Sequence, residues 1–315
     1  MIKINEKLVV GMLITTFTLG LIGISINSPI VHAAQATVDL KTAEPFAILS
    51  GTPNITDAGG ASVITGNAGL YPGPGSGIGL LCSQVAGTVY ARDLTGNICF
   101  TEDAPLLLTA KNDLSDAYDD ASGRTPVTAL AGADNQLGGQ TLTAGVYSFG
   151  HATTANLTAA SPLTLDAQND PDAVFIFQAS SDLITASSSV VRLVNDAQSC
   201  NVFWQVTSSA TLGTSSEFIG TIMALTSIGL NTSATMDGRA LARNGAVTLD
   251  HNTITVPVCT VPIVPPVETP VVTPKLPNTG FAPINNNILS AIGISAGIII
   301  VALLSFFIVQ KKHKA

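Results

Sequence analysis

The sequence predicts a mainly β fold, a solenoid of stacked strands with one long helix alongside, and three observations carry that expectation. First, short alternating segments return after 18 residues: Phe218-Ile219-Gly220-Thr221-Ile222 aligns with Met236-Asp237-Gly238-Arg239-Ala240, Leu212 with Leu230 and Thr214 with Thr232, and Ile254 lies one period beyond Met236. So short a period has no room for a helical pair, but it fits a coil in which each rung stacks on the last. Second, the stretch from Ala36 to Cys259 is rich in Gly, Ala, Ser and Thr, poor in charges and aromatics, and long enough to bury a core. Third, residues 103–122 break the alternation and set Leu107, Ala110, Leu114, Ala117, Tyr118 and Ala121 at helical spacing.

Taken in order, residues 1–34 read as a secretory leader. Lys3 and Lys7 precede an apolar run from Leu8 to Ile24, and Val31-His32-Ala33 or Ala34-Gln35-Ala36 offers the small residues of a cleavage site. The solenoid domain then fills 35–259. Within it the Pro- and Gly-rich stretch Tyr71 to Gly79 and the segment Cys82 to Cys99 suggest an irregular cap over 71–100. The helix follows, with Asp116, Asp119 and Asp120 on its polar side and Gly123 and Pro126 ending it. Beyond the domain, prolines at 262, 265, 266, 270 and 274 make 260–275 a stiff extended stalk. Residues 288–309 are 22 without a charge, and Lys311, Lys312 and Lys314 follow in the tail 310–315. At ~1.5 Å per residue such a run reaches across the ~30 Å hydrocarbon core, and the lysines keep the tail cytoplasmic.

Strand parity sorts the faces. Around 202–206, 221–225 and 239–243 it stacks Val202, Thr221 and Arg239, then Trp204, Met223 and Leu241, then Val206, Leu225 and Arg243 outward, with Ile222, Ala224, Ala240 and Ala242 filling the interior. The apolar strip of Trp204, Met223 and Leu241 then needs a cover, and the amphipathic helix supplies one. In the second strand set Leu212, Leu230, Phe218, Met236 and Ile254 point inward. Gly213, Ser215, Glu217, Asn231, Ser233, Thr235, Leu249, His251 and Thr253 point out, while Thr214, Thr232 and Thr248 share the inward parity unless the strand bends.

Charge and side-chain inventory narrow the function. The chain carries 13 Lys plus Arg and 21 Asp plus Glu; removing the two ends, where Lys3, Glu6, Lys7, Lys311, Lys312 and Lys314 lie, leaves 35–279 at a net charge of −12. Nucleic acid and anionic membranes are poor partners for it. Cys82, Cys99, Cys200 and Cys259 all fall in the exported part, where an even count permits disulfides. Of three formal pairings, closeness within the cap favours Cys82 with Cys99, and pinning the last strand to an earlier coil favours Cys200 with Cys259. Without Cys-x-x-Cys, and with only His151 and His251 left after processing, a metal site is not expected. Nor is an enzyme: Arg192, Arg239, Arg243, Asp170 and Asp172 could be imagined in a polysaccharide-cleaving site, but no spacing clusters them, and Asn169-Asp170-Pro171-Asp172 reads as a turn.

Two resemblances follow from these residues. Ile64-Thr65-Gly66-Asn67-Ala68-Gly69, Pro171-Asp172-Ala173-Val174-Phe175-Ile176-Phe177, Ala197-Gln198-Ser199-Cys200-Asn201-Val202-Phe203-Trp204-Gln205-Val206, Ala210-Thr211-Leu212-Gly213-Thr214-Ser215-Ser216, Gly238-Arg239-Ala240-Leu241-Ala242-Arg243 and Gly245-Ala246-Val247-Thr248-Leu249-Asp250 resemble, in matching order, the microbial ice-binding protein family over nearly all of 44–257. The resemblance implies a right-handed discontinuous β-solenoid (β-helix) of roughly triangular section with one long α-helix packed alongside, adsorption to ice and ordered water, and no cofactor. Ser233 stands where that family often has Gly, and Glu217 and His251 interrupt the open face. At the C-terminus Leu276-Pro277-Asn278-Thr279-Gly280, the apolar span and the basic tail resemble a Gram-positive sortase sorting signal. That implies attack of a sortase cysteine on the Thr279 carbonyl, transient membrane anchoring beforehand, and a final covalent link from Thr279 to peptidoglycan, so that the protein is secreted and held in the cell wall. The expected ice face carries Ser215, Asn231, Ser233, Thr235 and Thr253, where rungs ~4.8 Å apart hold hydroxyls and methyls in a fixed array. The competing expectation is a wall-anchored adhesin or structural surface module.

Overall fold

The computed structural model describes residues 35–130, 136–149, 155–159 and 161–260. The expected leader, pentapeptide, apolar span and basic tail lie outside the described residues, as do His151 and the stalk beyond Thr260. Among the described residues no helix is long and apolar enough to cross a membrane.

The chain begins with β1 (Phe46–Ser50), β2 (Ile55–Asp57), β3 (Val63–Thr65), β4 (Asn67–Leu70), β5 (Val85–Ala86), β6 (Val89–Ala91) and β7 (Thr101–Glu102), then enters the helix α1 (Ala104–Gly123). There follow β8 (Val127–Leu130), β9 (Thr141–Thr143), β10 (Gly145–Phe149), β11 (Ala155–Leu157), β12 (Leu163–Asp166), β13 (Phe175–Ala179), β14 (Leu183–Thr185) and β15 (Val191–Val194). The last coils hold β16 (Val202–Val206), β17 (Ala210–Leu212), β18 (Glu217–Ala224), β19 (Ile228–Leu230), β20 (Thr235–Ala242), β21 (Val247–Leu249) and β22 (Thr253–Thr255).

The strands pair in parallel, rung on rung, in a solenoid whose stacking order is not the chain order. The main sheet runs β7-β6-β4-β1-β20-β18-β16-β13-β10-β8, so the first strand sits between β4 and β20, and β22 lies between β20 and β3. N-terminal strands therefore cover the edge that the last coils would otherwise leave unpaired. The 18-residue period holds from Phe203 to Thr221 to Arg239. Earlier coils are longer, with Phe175 opposite Val202 and Gly145 opposite Phe175. Gly220 and Gly238 mark where β18 and β20 bend from one face to the next. Gly220 has φ +110, and a Cβ on Gly238 would lie 1.9 Å from the Gly220 carbonyl oxygen, so neither position accepts a side chain.

The helix forms where expected, one residue later at each end. The Asp103 carboxylate accepts the Leu106 amide at 2.9 Å as its cap. Leu107, Ala110, Leu114, Ala117, Tyr118 and Ala121 are buried against Phe46, Leu49, Ile176, Phe203, Met223 and Leu241. Asp116, Asp119 and Asp120 stay at the surface, paired with Lys41, Arg243 and Arg124. Exposed pairs of this kind contribute little.

The structure overturns one expected register. Parity put Trp204 beside Met223 and Leu241 under the helix, but the structure sets Phe203 opposite Thr221 and Gln205 opposite Met223. A slip of one residue reverses every side chain: Phe203 faces the helix, and Trp204 turns into the core. There the Trp204 ring stacks on Phe177 at 4.0 Å and tilts against Phe218 at 5.1 Å, while its Nε1 donates to the Ile219 carbonyl at 3.0 Å. Aromatic contact and a satisfied N–H together hold it inside. The expected irregular cap over 71–100 is also partly stranded, since β5 pairs with β3, and β6 lies between β4 and β7.

Lys111 is the helix residue that helical spacing alone did not single out. It is buried, and its Nζ donates to the Ala242 carbonyl at 2.5 Å. Burial, and after it the Arg243 charge, push its pKa down to about 7. The unfolded chain, where a lysine titrates near its ordinary 10.5, then holds more protons than the folded one between these values. Stability from this site is thus complete above about 10.5 and lost as the pH falls through about 7. Urea midpoints of the wild type should accordingly rise between pH 7 and 10, and Lys111→Met should remove that rise.

The disulfides join Cys82 to Cys99 and Cys200 to Cys259, with Cα atoms 6.4 Å and 5.6 Å apart, the pairing favoured above. Their sequence separations of 17 and 59 correspond, by loss of loop entropy in the unfolded chain, to about 3 and about 4 kcal/mol. Replacing Cys200 and Cys259 by Ser should consequently lower the free energy of unfolding more than the same change at Cys82 and Cys99. Denaturant titration of the two double variants checks the order.

Candidate functional site

Leu212, Leu230, Phe218, Met236 and Ile254 are buried, as the second strand set predicts. Alternation fails at the corners that follow. Ser215, Ser233 and His251 adopt the left-handed conformation with φ 56, 61 and 57, and alternation breaks around each. Across the first two corners the core parity returns, with Leu212 and Phe218, like Leu230 and Met236, both buried, but across the His251 corner it shifts by one residue between the buried Leu249 and Ile254. Leu249, expected to point out, is therefore buried, and Gly213 is buried too. A Cβ on Gly213 would meet the Ala186 carbonyl carbon at 2.4 Å. Conversely Thr214, Thr232 and Thr248, whose parity pointed inward, are exposed.

The five expected face residues consequently straddle one corner. Ser215 and Ser233 form it, their amides donating to the Thr232 and Asp250 carbonyls at 3.0 Å each. Asn231 lies on one side, its amide bonded to the Leu212 carbonyl at 2.9 Å. Thr235 and Thr253 lie on the other as register partners, with Glu217 beyond Thr235 and the exposed Val63 beyond Thr253. The two sides belong to different sheets.

On the Asn231 side is a six-stranded sheet in the order β11-β14-β17-β19-β21-β2. Each of its strands is three residues long with an outward central residue. In β14, β17 and β21 that residue is exposed between two buried ones. Register brings Asn156, Ile184, Thr211, Gly229, Thr248 and Thr56 into one row. At ~4.8 Å per rung the row is about 24 Å long, and no member carries a charge. Behind it Ala210, Leu212, Ile228, Leu230, Val247 and Leu249 belong to the core, so its rungs are fixed by packing.

Polar residues border the row. Along one edge the Ser209 and Thr226 hydroxyls lie 2.6 Å apart. Along the other the Thr232 hydroxyl donates to one oxygen of Asp250, and Nδ1 of His251 lies 2.7 Å from the second oxygen. The Thr232 hydroxyl, and after it the His251 ring, hold the Asp250 carboxyl below the usual carboxylate range, so this border stays anionic.

The other faces differ. One is covered by α1. Another is built from β9, β12 and β15 and, across a bridge from Val190 to Glu217, from the first halves of β18 and β20 with β22, β3 and β5. It exposes Arg192, Glu217 and Asp237. Residues weighed for a polysaccharide-cleaving site are dispersed: the buried Arg239 donates to the Glu44 carbonyl at 2.7 Å and the Thr221 hydroxyl at 3.2 Å, Arg243 lies 4.6 Å over the Tyr118 ring, and Asp170 accepts the Asp172 amide within its turn. Among the described residues no group of three or more His, Cys, Asp or Glu could hold a metal ion.

Comparison with known proteins agrees with this architecture. Residues 48–255 match the family model described as ice-binding-like. The chain is 41% identical over 257 residues to the ice-binding protein of Nostoc sp. (strain HG1), covering 81% of this chain and 84% of that one. With the ice-binding protein of Flavobacterium frigoris (strain PS1) it shares 39% over 220 residues, 70% and 76% of the two chains. Among solved structures, an ice binding protein from an Antarctic biological consortium superposes with a TM-score of 0.64 at 36% identity, over 73% of this chain and 96% of that one. A domain of Shewanella frigidimarina ice-binding protein 1 gives 0.63 at 26% identity, over 72% and 100%.

Proposed function

We propose, on the premise that the chain belongs to the ice-binding-like family, that it is an extracellular ice-binding protein adsorbing to ice through the outer surface of its six-stranded sheet. The observation that carries this reading is the in-register, charge-free row containing Thr211, Thr248 and Thr56 on a sheet with no cover among the described residues. Each threonine offers a hydroxyl to bond water and a methyl to crowd it, at positions fixed by the core beneath. Because the ordering entropy is met during folding, the sheet need not lose it again on adsorption. In this reading the coils wind right-handed on a roughly triangular section, consistent with three strand sets separated by corners.

The reading extends to location. The leader 1–34, Leu276-Pro277-Asn278-Thr279-Gly280, the apolar run 288–309 and the terminal lysines support export, transient membrane insertion and sortase-mediated attachment of Thr279 to peptidoglycan. An ice binder fixed to the wall would hold the cell to ice. Purified protein should facet a seed crystal and enter a growing ice front. Folded protein that does neither would reject ice binding and leave the adhesin reading standing.

A further inference from the structure

We infer a mechanical function for the closure between Cys200 and Cys259: it is where tension on the C-terminal end of the domain enters the fold, and it takes the last coils out of the series path of the load. The inference rests on the wall-attachment reading, since an anchored chain is pulled at that end. The last strand, β22, is a weak place to pull. It pairs through only Thr253, Ile254 and Thr255 with β20 on one side and β3 on the other, so tension drawn through it alone would part these pairs one after another.

The structure provides another route. Cys259 is bonded to Cys200, next to the start of β16, and the residue after it is clamped to the same segment. The Gln198 Oε1 accepts the Thr260 amide at 2.6 Å and the Thr260 hydroxyl at 2.9 Å. Its Nε2 donates to the Thr260 carbonyl at 3.2 Å and to the Pro171 carbonyl at 2.8 Å, and Asn201 Nδ2 donates to Pro171 at 3.3 Å. Thr260 is thus held to the coil before β16 rather than to β22. All of β16 to β22 falls inside a covalent ring that the load meets at one junction. That ring contains Thr211, Gly229 and Thr248 of the candidate face. Load passed from the face to Thr260 divides between the two ends of the ring, and peeling β22 does not lengthen the tether.

Single chains can be stretched to test this, using the full chain in detergent with click-chemistry handles at Gln35 and at Val261, the residue after the clamp. The oxidised wild type should release about 20 nm less chain than Cys200→Ser with Cys259→Ser, from 59 residues at ~3.6 Å each. More decisively, the variant should show a new first rupture, shorter and at lower force, as β22 detaches. If circular dichroism shows that the variant does not fold, wild type folded oxidised and then reduced on the tether gives the same comparison. Cys82→Ser with Cys99→Ser should leave the first rupture force unchanged. First ruptures equal in force and length with and without the Cys200–Cys259 bond would overturn the proposal, whatever the location of the protein in the cell. Wall fractionation tests the anchoring reading separately.

Discussion

Thr211→Tyr combined with Thr248→Tyr is expected to remove well over half of the thermal hysteresis while leaving the fold intact. Both threonines are exposed at the centres of their strands, on either side of Gly229 in the same row. A phenol ring there stands several ångströms above the neighbouring side chains and breaks the plane that water would have to match. Its cost to stability should be small, because tyrosine suits exposed strand positions and surface changes away from caps and cores usually stay within ~0.5 kcal/mol. Circular dichroism and the melting temperature check that part. Thr235→Tyr is the matched control: it lies beyond the Ser233 corner, between Glu217 and Thr253, in the other sheet. It should leave most of the hysteresis. The reverse result, activity lost at Thr235 and kept in the double variant, would move the ice face to the set of Ser215, Ser233, Thr235 and Thr253.

How the sequence could reveal the core but not the row along the six-stranded sheet has a physical explanation. The helix was legible because one apolar stripe at a period of 3.6 stood against Asp116, Asp119 and Asp120 on the other side. The last coils were legible because Gly220 and Gly238 recur at the same bend. Between Phe203 and Trp204 alternation could not choose. A strand buried on both faces, by the helix on one side and the core on the other, shows no apolar-polar contrast to fix its parity. The corners were hidden differently. Ser215, Ser233 and His251 hold positive φ where glycine or asparagine would have signalled it, so strict alternation ran straight through and sent Thr248 inward. Thr56 lay beyond any periodic search, since β2 reaches β21 by non-sequential stacking of residues almost two hundred positions apart. Ile184 and Asn156 were missed because their coils depart from the 18-residue period.

Pro277→Ala with Leu276→Ala is expected to move the protein from the wall fraction to the membrane fraction. Residues 288–309 are an uncharged run of 22; as a helix such a run would be about 33 Å long, enough for the hydrocarbon core, and on the proposed reading it stays inserted unless the chain is cut before it. Lys311, Lys312 and Lys314 follow at once and oppose passage of the tail outward. Attachment through Thr279 requires the bond to Gly280 to be broken and its acyl group passed to a wall amine, which leaves 280–315 in the membrane. A chain with an altered pentapeptide keeps that segment. It should become extractable by detergent and heavier by the mass of 280–315, whereas the wild type should resist detergent and be released by digesting peptidoglycan. Removing 288–315 from the altered chain should then send it into the medium, because no anchor of either kind remains. Should the Leu276 and Pro277 variant stay in the wall after detergent, with the mass of a chain ending at Thr279, cleavage would not depend on these two residues. Should it stay with an uncleaved tail, the wall would be holding the protein by contacts of the folded domain, and the sorting reading would be wrong.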